Sequence, residues 1–198
     1  RGVISSSMEP PAGTQALLFD CDGTLVDTLS LYRVCWRQVY GRHGFDMADD
    51  WFYQRVGLSV RPFVREAFPN ASEEVLDGIQ HEGMTMFMNS THLLELNDHV
   101  VDVARRFKGV LPLVVVSSGI ATAVYETLEA TAITELFDFV ITLESVARAK
   151  PAPDCYQHAV ERLGVDPSRC VAYEDSEAGL ESAIAAGIGT VVDIRVAR

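Results

Sequence analysis

Five short runs of β-branched and apolar residues punctuate the chain, at 16–20, 113–117, 139–143, 170–173 and 190–194. Each has strand length and reads as buried. Between the later runs lie 120–131, 153–163 and 176–186, where apolar residues recur near helical spacing. Asp154 stands near the start of one such helix, and Gly187 follows another where a C-terminal glycine would. Strands alternating with helices of this length predict an α/β fold, a parallel sheet covered on both faces. Ligands of such sheets bind beyond the carboxyl ends of the strands. Asp20, Ser117 and the Glu174–Asp175 pair all fall there.

One interval breaks the alternation. From Leu29 to Leu96 there is no convincing strand, only helix-like segments at 31–43, 60–68 and 72–88. Roughly 65 residues of helix is far more than a crossover between strands needs. The interval reads as an all-helical insertion between strands one and two. The expected division is a core of 8–28 with 97–198 and a helical cap of 29–96. RGVISSS, residues 1–7, is set aside as a tail introduced for expression.

At 198 residues the chain can bury a full core without disulfides or a structural metal. No apolar run approaches the roughly 20 residues that span a bilayer, and no signal peptide is visible. Cys21, Cys35, Cys155 and Cys170 are widely spaced and form no CxxC pair, which fits reduced thiols in the cytoplasm. The net charge of −12 argues against nucleic acid and anionic membranes as partners. It also means that an anionic substrate requires local positive charge against the overall field.

ALLFDCDGTLVDT, residues 16–28, ends a buried strand on carboxylates. In extended chain, residues i and i+2 point the same way about 7 Å apart, so Asp20 and Asp22 can converge on one reacting centre. In unlike environments one can be ionised and the other protonated. Gly23 lets the backbone turn sharply. An acidic turn or a calcium loop would also use DxDG, but LVDTLSLY lacks the further ligands of an EF-hand.

VVVSSG places Ser117 at the end of the second core strand, RAKPAPD carries Lys150, and VAYEDSEAG carries Glu174 and Asp175. In these four motifs, taken in order, the chain resembles the haloacid dehalogenase (HAD) superfamily of phosphohydrolases. Within it, the chain resembles the β-phosphoglucomutase-like branch and its bacterial sugar-phosphate phosphatases. The resemblance implies a Rossmann-like core, a cap that closes over the site, and a Mg²⁺ cofactor. It makes Asp20 the nucleophile and Asp22 the general acid and base. Asp20, the Asp22 main-chain carbonyl, Glu174 and Asp175 would hold the metal. Ser117 and Ser118 would bind the phosphoryl group, helped by backbone N–H groups after Asp22, with Lys150 offsetting the charge. Gly57, Ser59 and Arg61 in VGLSVRP suggest a cap loop that dips toward the substrate, with Arg61 gripping a distal group.

The expected substrate is a small phosphorylated metabolite, and a monomer is compatible with everything in the chain. A phosphosugar mutase is the alternative. However, the mutases carry a histidine where Tyr32 stands, and their cap arginine occupies the place of Val60. An inactive metabolite-binding protein is a further alternative. Ser117 or Ser118 is also expected to cap the following helix, Trp36 and Trp51 to fill the cap core, and Cys21 to play no nucleophilic part. LELNDHV, in place of the usual proline-glycine before a core helix, has no reading from sequence.

Overall fold

The computed structural model of the chain describes residues 3–56 and 58–197. Its strands are β1 (Val3–Ser5), β2 (Ala16–Phe19), β3 (Leu113–Val116), β4 (Phe139–Ile141), β5 (Cys170–Glu174) and β6 (Thr190–Asp193). They form one parallel sheet in the order β1-β6-β5-β2-β3-β4. β2 is central, with Leu18 opposite Val114 of β3 on one side and Ala172 of β5 on the other. All four β2 residues are buried, as are those of β3 and β5, which is why these runs are apolar without alternation. The chain leaves β2 toward β3 and later returns to β5 on its other side, so the strand order reverses at β2. A ligand site is expected beyond such a reversal.

The stretch set aside as a tail supplies the sheet's edge strand. Val3, Ile4 and Ser5 pair in parallel with Thr190, Val191 and Val192. Val3 and Ile4 stay exposed, so backbone pairing rather than burial holds them. An edge strand of this kind leaves no apolar pattern to read.

The residues fall into two compact units, Arg1–Asp27 with Glu95–Arg198, and Thr28–Leu94. In the first, α5 (Asp98–Phe107), α6 (Ala121–Ala130), α7 (Asp154–Leu163) and α8 (Glu177–Ala185) join the sheet. Tyr156 and Ala159 of α7 and Leu180 and Ala183 of α8 pack with β2, β3 and β5 residues in one core. Ser176 caps α8 by accepting the Gly179 N–H, and Gly187 at φ 83° leads the chain out of it. α6 departs from expectation. It starts at Ala121, beyond both serines, and its first N–H donates to the Glu144 carboxylate from the turn after β4.

The second unit holds α1 (Thr28–Arg42), α2 (Asp49–Tyr53), α3 (Val60–Ala67) and α4 (Glu73–Asn89). Its core is aromatic: Trp36, Tyr40, Phe52 and Phe63 are buried together, with Phe45, Trp51 and Phe68 against them. Trp36 and Trp51 are therefore core residues, and the Arg55 guanidinium lies 4.2 Å over the Trp51 ring. Among the described residues no helix is long and apolar enough to cross a membrane.

Two glycines of α4 test this packing in opposite directions. A Cβ at Gly83 would lie 2.2 Å from the buried Trp36 ring, whereas one at Gly78 meets nothing within 4 Å. Alanine gains about 1 kcal/mol of helix propensity at either place. At Gly83 the overpacking of roughly 1–3 kcal/mol outweighs it, because a ring wedged among Tyr40 and Phe63 has no room to retreat. Thermal unfolding is expected to show Gly78→Ala raising the transition of this unit and Gly83→Ala lowering it.

Candidate active site

Asp20 follows directly on β2 and remains tied to the sheet through its N–H, which donates to the Tyr173 carbonyl at 3.0 Å. The chain then wraps round the Cys21 carbonyl, which accepts from the N–H groups of Leu25 at 3.0 Å and Val26 at 3.2 Å. Gly23 takes φ 85°, which a side chain would resist, and its N–H donates to the Val26 carbonyl at 2.8 Å. The Thr24 N–H also donates to the Cys21 carbonyl, at 3.3 Å, so the N–H groups of residues 23–26 are spent inside the turn. The expectation that those after Asp22 serve a phosphoryl group is corrected there.

LELNDHV acquires a physical reading in this turn. The Asn97 side-chain amide donates to the carbonyls of Gly23 at 2.8 Å and Thr24 at 2.9 Å, and its main-chain N–H to that of Leu25 at 2.9 Å. Asn97 stands at the N-cap of α5 yet makes no side-chain cap bond, since its amide faces the acidic turn. Asp27 N–H to Glu95 carbonyl and the Val26–Leu96 bridge extend this short ladder.

Lys150 draws three strand ends together. Its ammonium donates to Asp20 Oδ1 at 2.7 Å, to the Val116 carbonyl at 2.8 Å and to Glu174 Oε1 at 2.6 Å. An ammonium has three donors, and here each has an acceptor. The side chain is 5% exposed. Burial disfavours the charge, but the Asp20 and Glu174 carboxylates outweigh it and hold the Lys150 pKa above the ordinary lysine range.

Ser117 is buried at the tip of β3, where its Oγ accepts the Gly119 N–H at 2.9 Å. A Cβ at Gly119 would lie 3.2 Å from Ser117 Oγ, 3.3 Å from Asp22 Oδ2 and 2.8 Å from a Val124 methyl carbon. The Asp22 carboxyl therefore stands beside Ser117, and Gly119 keeps the space between them open. Ser118 is exposed.

The acidic side of the site has more negative charge than Lys150 neutralises. Carboxylate oxygens of Asp20, Glu174 and Asp175 lie within 4.8 Å of one another. Burial, followed by the Asp20 charge, pushes Asp175 up to about 7, and Thr24 Oγ1 donates to it at 3.3 Å. Burial likewise pushes Glu174 up to about 8 against the pull of Lys150. Its Oε1 accepts from both Lys150 and the Tyr156 hydroxyl, the latter at 2.5 Å, while the buried Oε2 has no hydrogen-bond partner among the described residues. A set of oxygen donors short of positive charge fits a hard divalent cation. Cys21, fully buried, has its thiol pKa raised by desolvation first and by Asp22 and Asp20 next, so it stays protonated and unreactive.

The remaining expected residues belong to the helical unit. Ser59 is exposed at the N-cap of α3 and makes no cap bond. Arg61 is not an unengaged grip: its guanidinium pairs with Asp77 at 2.7 Å and with Glu73. Gly57 lies outside the described residues. Tyr32 stacks on Phe87 with ring centroids 4.0 Å apart. Sequence reading missed Thr24, Asn97, Gly119, Tyr156 and Gly179. The glycines after SS and EDSEA were visible, but their meaning depends on what packs against them.

Gly179 shows this most directly. A Cβ there would lie 1.9 Å from Glu174 Oε2 and 2.1 Å from its carboxyl carbon. A flexible glutamate could move aside, but this one is pinned by Lys150 and Tyr156. Gly179→Ala is expected to destabilise the core unit by roughly 1–3 kcal/mol despite better helix propensity, as read by thermal unfolding.

The model of the haloacid dehalogenase-like hydrolases matches residues 14–187. The chain is 32% identical over 189 residues to the fructose-1-phosphate phosphatase YqaB of Escherichia coli, covering 91% of this chain and 96% of that protein. It is 32% identical over 186 residues to hexitol phosphatase A of the same organism, covering 87% and 80%. The β-phosphoglucomutase of Clostridium difficile superposes with a TM-score of 0.78 over 93% of this chain and 88% of that one, at 19% identity, a likeness of fold. With its motifs gathered at the strand ends and its family model spanning core and helical insertion alike, the chain belongs to the haloacid dehalogenase-like hydrolases.

Proposed function

We propose that this hydrolase is a Mg²⁺-dependent phosphatase that cleaves a small phosphorylated metabolite, a sugar phosphate, through an aspartyl-phosphate on Asp20. The observation that carries the reading is the buried Lys150 ammonium bonded to Asp20 at the point where the strand order reverses. A carboxylate held this way is oriented for attack, and the same cation faces the charge of an arriving phosphoryl group. The names of the two Escherichia coli relatives support a sugar or sugar-alcohol phosphate as substrate.

In the first step an Asp20 carboxylate oxygen bonds to phosphorus as the ester P–O bond breaks. Asp22 gives its proton to the departing alkoxide. In the second, the Asp22 carboxylate takes a proton from water, the water oxygen bonds to phosphorus, and the bond to Asp20 breaks to release phosphate. Ser117 Oγ accepts from Gly119, which leaves its own proton to donate to a phosphoryl oxygen, with the exposed Ser118 hydroxyl beside it in sequence. Asp20, Asp175, the Asp22 carbonyl and Glu174 would hold the metal, whose bound charge would neutralise the phosphoryl oxygens. The four cysteines, buried and unpaired, suit a reducing compartment such as the cytoplasm.

Asp20→Asn replaces a nucleophile with an amide that can still accept from Lys150. Phosphate release is expected to fall at least about a thousandfold while circular dichroism stays unchanged. Undiminished turnover by that variant would sink the covalent mechanism. Removing divalent metal with EDTA should stop turnover and Mg²⁺ should restore it. Offered a hexose 1-phosphate, the protein should yield free phosphate. Accumulation of an isomeric phosphosugar would instead identify a mutase.

A further inference from the structure

The geometry points to Tyr156 as a positioning residue for the phosphoryl site, one that acts through Glu174 on the Lys150 ammonium. The inference rests on the phosphatase reading above. Tyr156 lies in the first turn of α7, six residues after Lys150, with no exposed surface. Its ring packs in the core of the sheet, but its hydroxyl leaves that core to donate to Glu174 Oε1 at 2.5 Å. The same oxygen accepts from Lys150 at 2.6 Å, and the Lys150 nitrogen sits 5.3 Å from the centre of the Tyr156 ring. One aromatic side chain therefore faces both members of the ion pair, the carboxylate with its hydroxyl and the ammonium with its π face.

The effect on chemistry follows from how one cation is divided between two carboxylates. Lys150 is shared by Asp20 at 2.7 Å and Glu174 at 2.6 Å. Among the described residues the hydrogen bonds to the Glu174 carboxyl converge on Oε1, from Lys150 and from Tyr156. With the phenol in place, part of that carboxyl's demand is met by Tyr156. Without it, Oε1 keeps only the Lys150 bond among the described residues and draws the ammonium toward itself, away from Asp20 and the phosphoryl group. Gly179 contributes the space in which this carboxyl lies, since a Cβ there would sit 1.9 Å from Glu174 Oε2. A phenol that merely filled space in the core would need no donor aimed at this oxygen, and phenylalanine would serve as well.

Tyr156→Phe keeps the ring and removes only the hydroxyl. Calorimetric titration with orthovanadate at saturating Mg²⁺ reads the phosphoryl site without turnover. The expected result is about a tenfold weaker vanadate affinity, the scale of one lost hydrogen bond to a charged group, with Mg²⁺ affinity changed less than about twofold. In a Glu174→Gln background the same substitution should cost less than about twofold, because the residue it acts through has lost its carboxyl group. Near-ultraviolet circular dichroism checks that the core is intact. Unchanged vanadate binding by Tyr156→Phe, an equal loss in both backgrounds, or a loss confined to Mg²⁺ affinity overturns the inference. Failure of the unsubstituted protein to bind vanadate with Mg²⁺ instead overturns the phosphatase reading, and this inference with it.

Discussion

A single buried ammonium organises the site. Lys150 ties the tip of β2 through Asp20, the tip of β3 through the Val116 carbonyl and the tip of β5 through Glu174. Removing such a cation from water costs several kcal/mol, and only complete pairing offsets that cost. Here all three N–H donors are used, so the charge is stable where it is most useful. Lys108 and Lys150 are the only lysines among sixteen basic residues. Three acceptors from three strands suit a compact ammonium with rotatable donors, whereas a planar guanidinium would favour one bidentate partner.

Around that cation the backbone is held by residues whose value lies in small size or hydrogen bonding. Gly23 reverses the chain after Asp22, Gly119 leaves the space beside Ser117 and Asp22, and Gly179 leaves the space for Glu174. Asn97 gives up helix capping to hold two carbonyls of the acidic turn. The arrangement places two carboxyls one residue apart in unlike settings. Asp20 faces an ammonium, and Asp22 stands by a serine and a glycine. That difference is what a division between nucleophile and proton carrier needs.

The overall charge of −12 bears on the same point. Arg37, Arg42, Arg55, Arg61, Arg148 and Arg195 are committed to nearby carboxylates, most of them on the surface, where such pairs add little stability. Positive charge for an anionic substrate therefore has to be built into the site. In the proposed mechanism Lys150 would supply part of it, and a metal held by the clustered Asp20, Glu174 and Asp175 carboxylates would supply the rest.

The α/β class and the strand-end placement of Asp20, Ser117, Glu174 and Asp175 were legible in the chain because they rest on local pattern. Apolar runs of strand length, helical spacing and an acidic dipeptide at a strand tip are all properties of neighbouring residues. The edge strand β1 was not legible, since it is held by backbone pairing with exposed side chains. Nor were the part of Asn97, the carboxylate that caps α6, or the pairing of Arg61 with Glu73 and Asp77. Tyr156 and Gly179 belong with them, because each matters only through a carboxylate that the fold brings from another strand. Local periodicity determines which elements form and which residues stand at their ends. Which donor meets which acceptor depends on contacts between residues far apart in the chain, and those exist only once the sheet and its helices have packed.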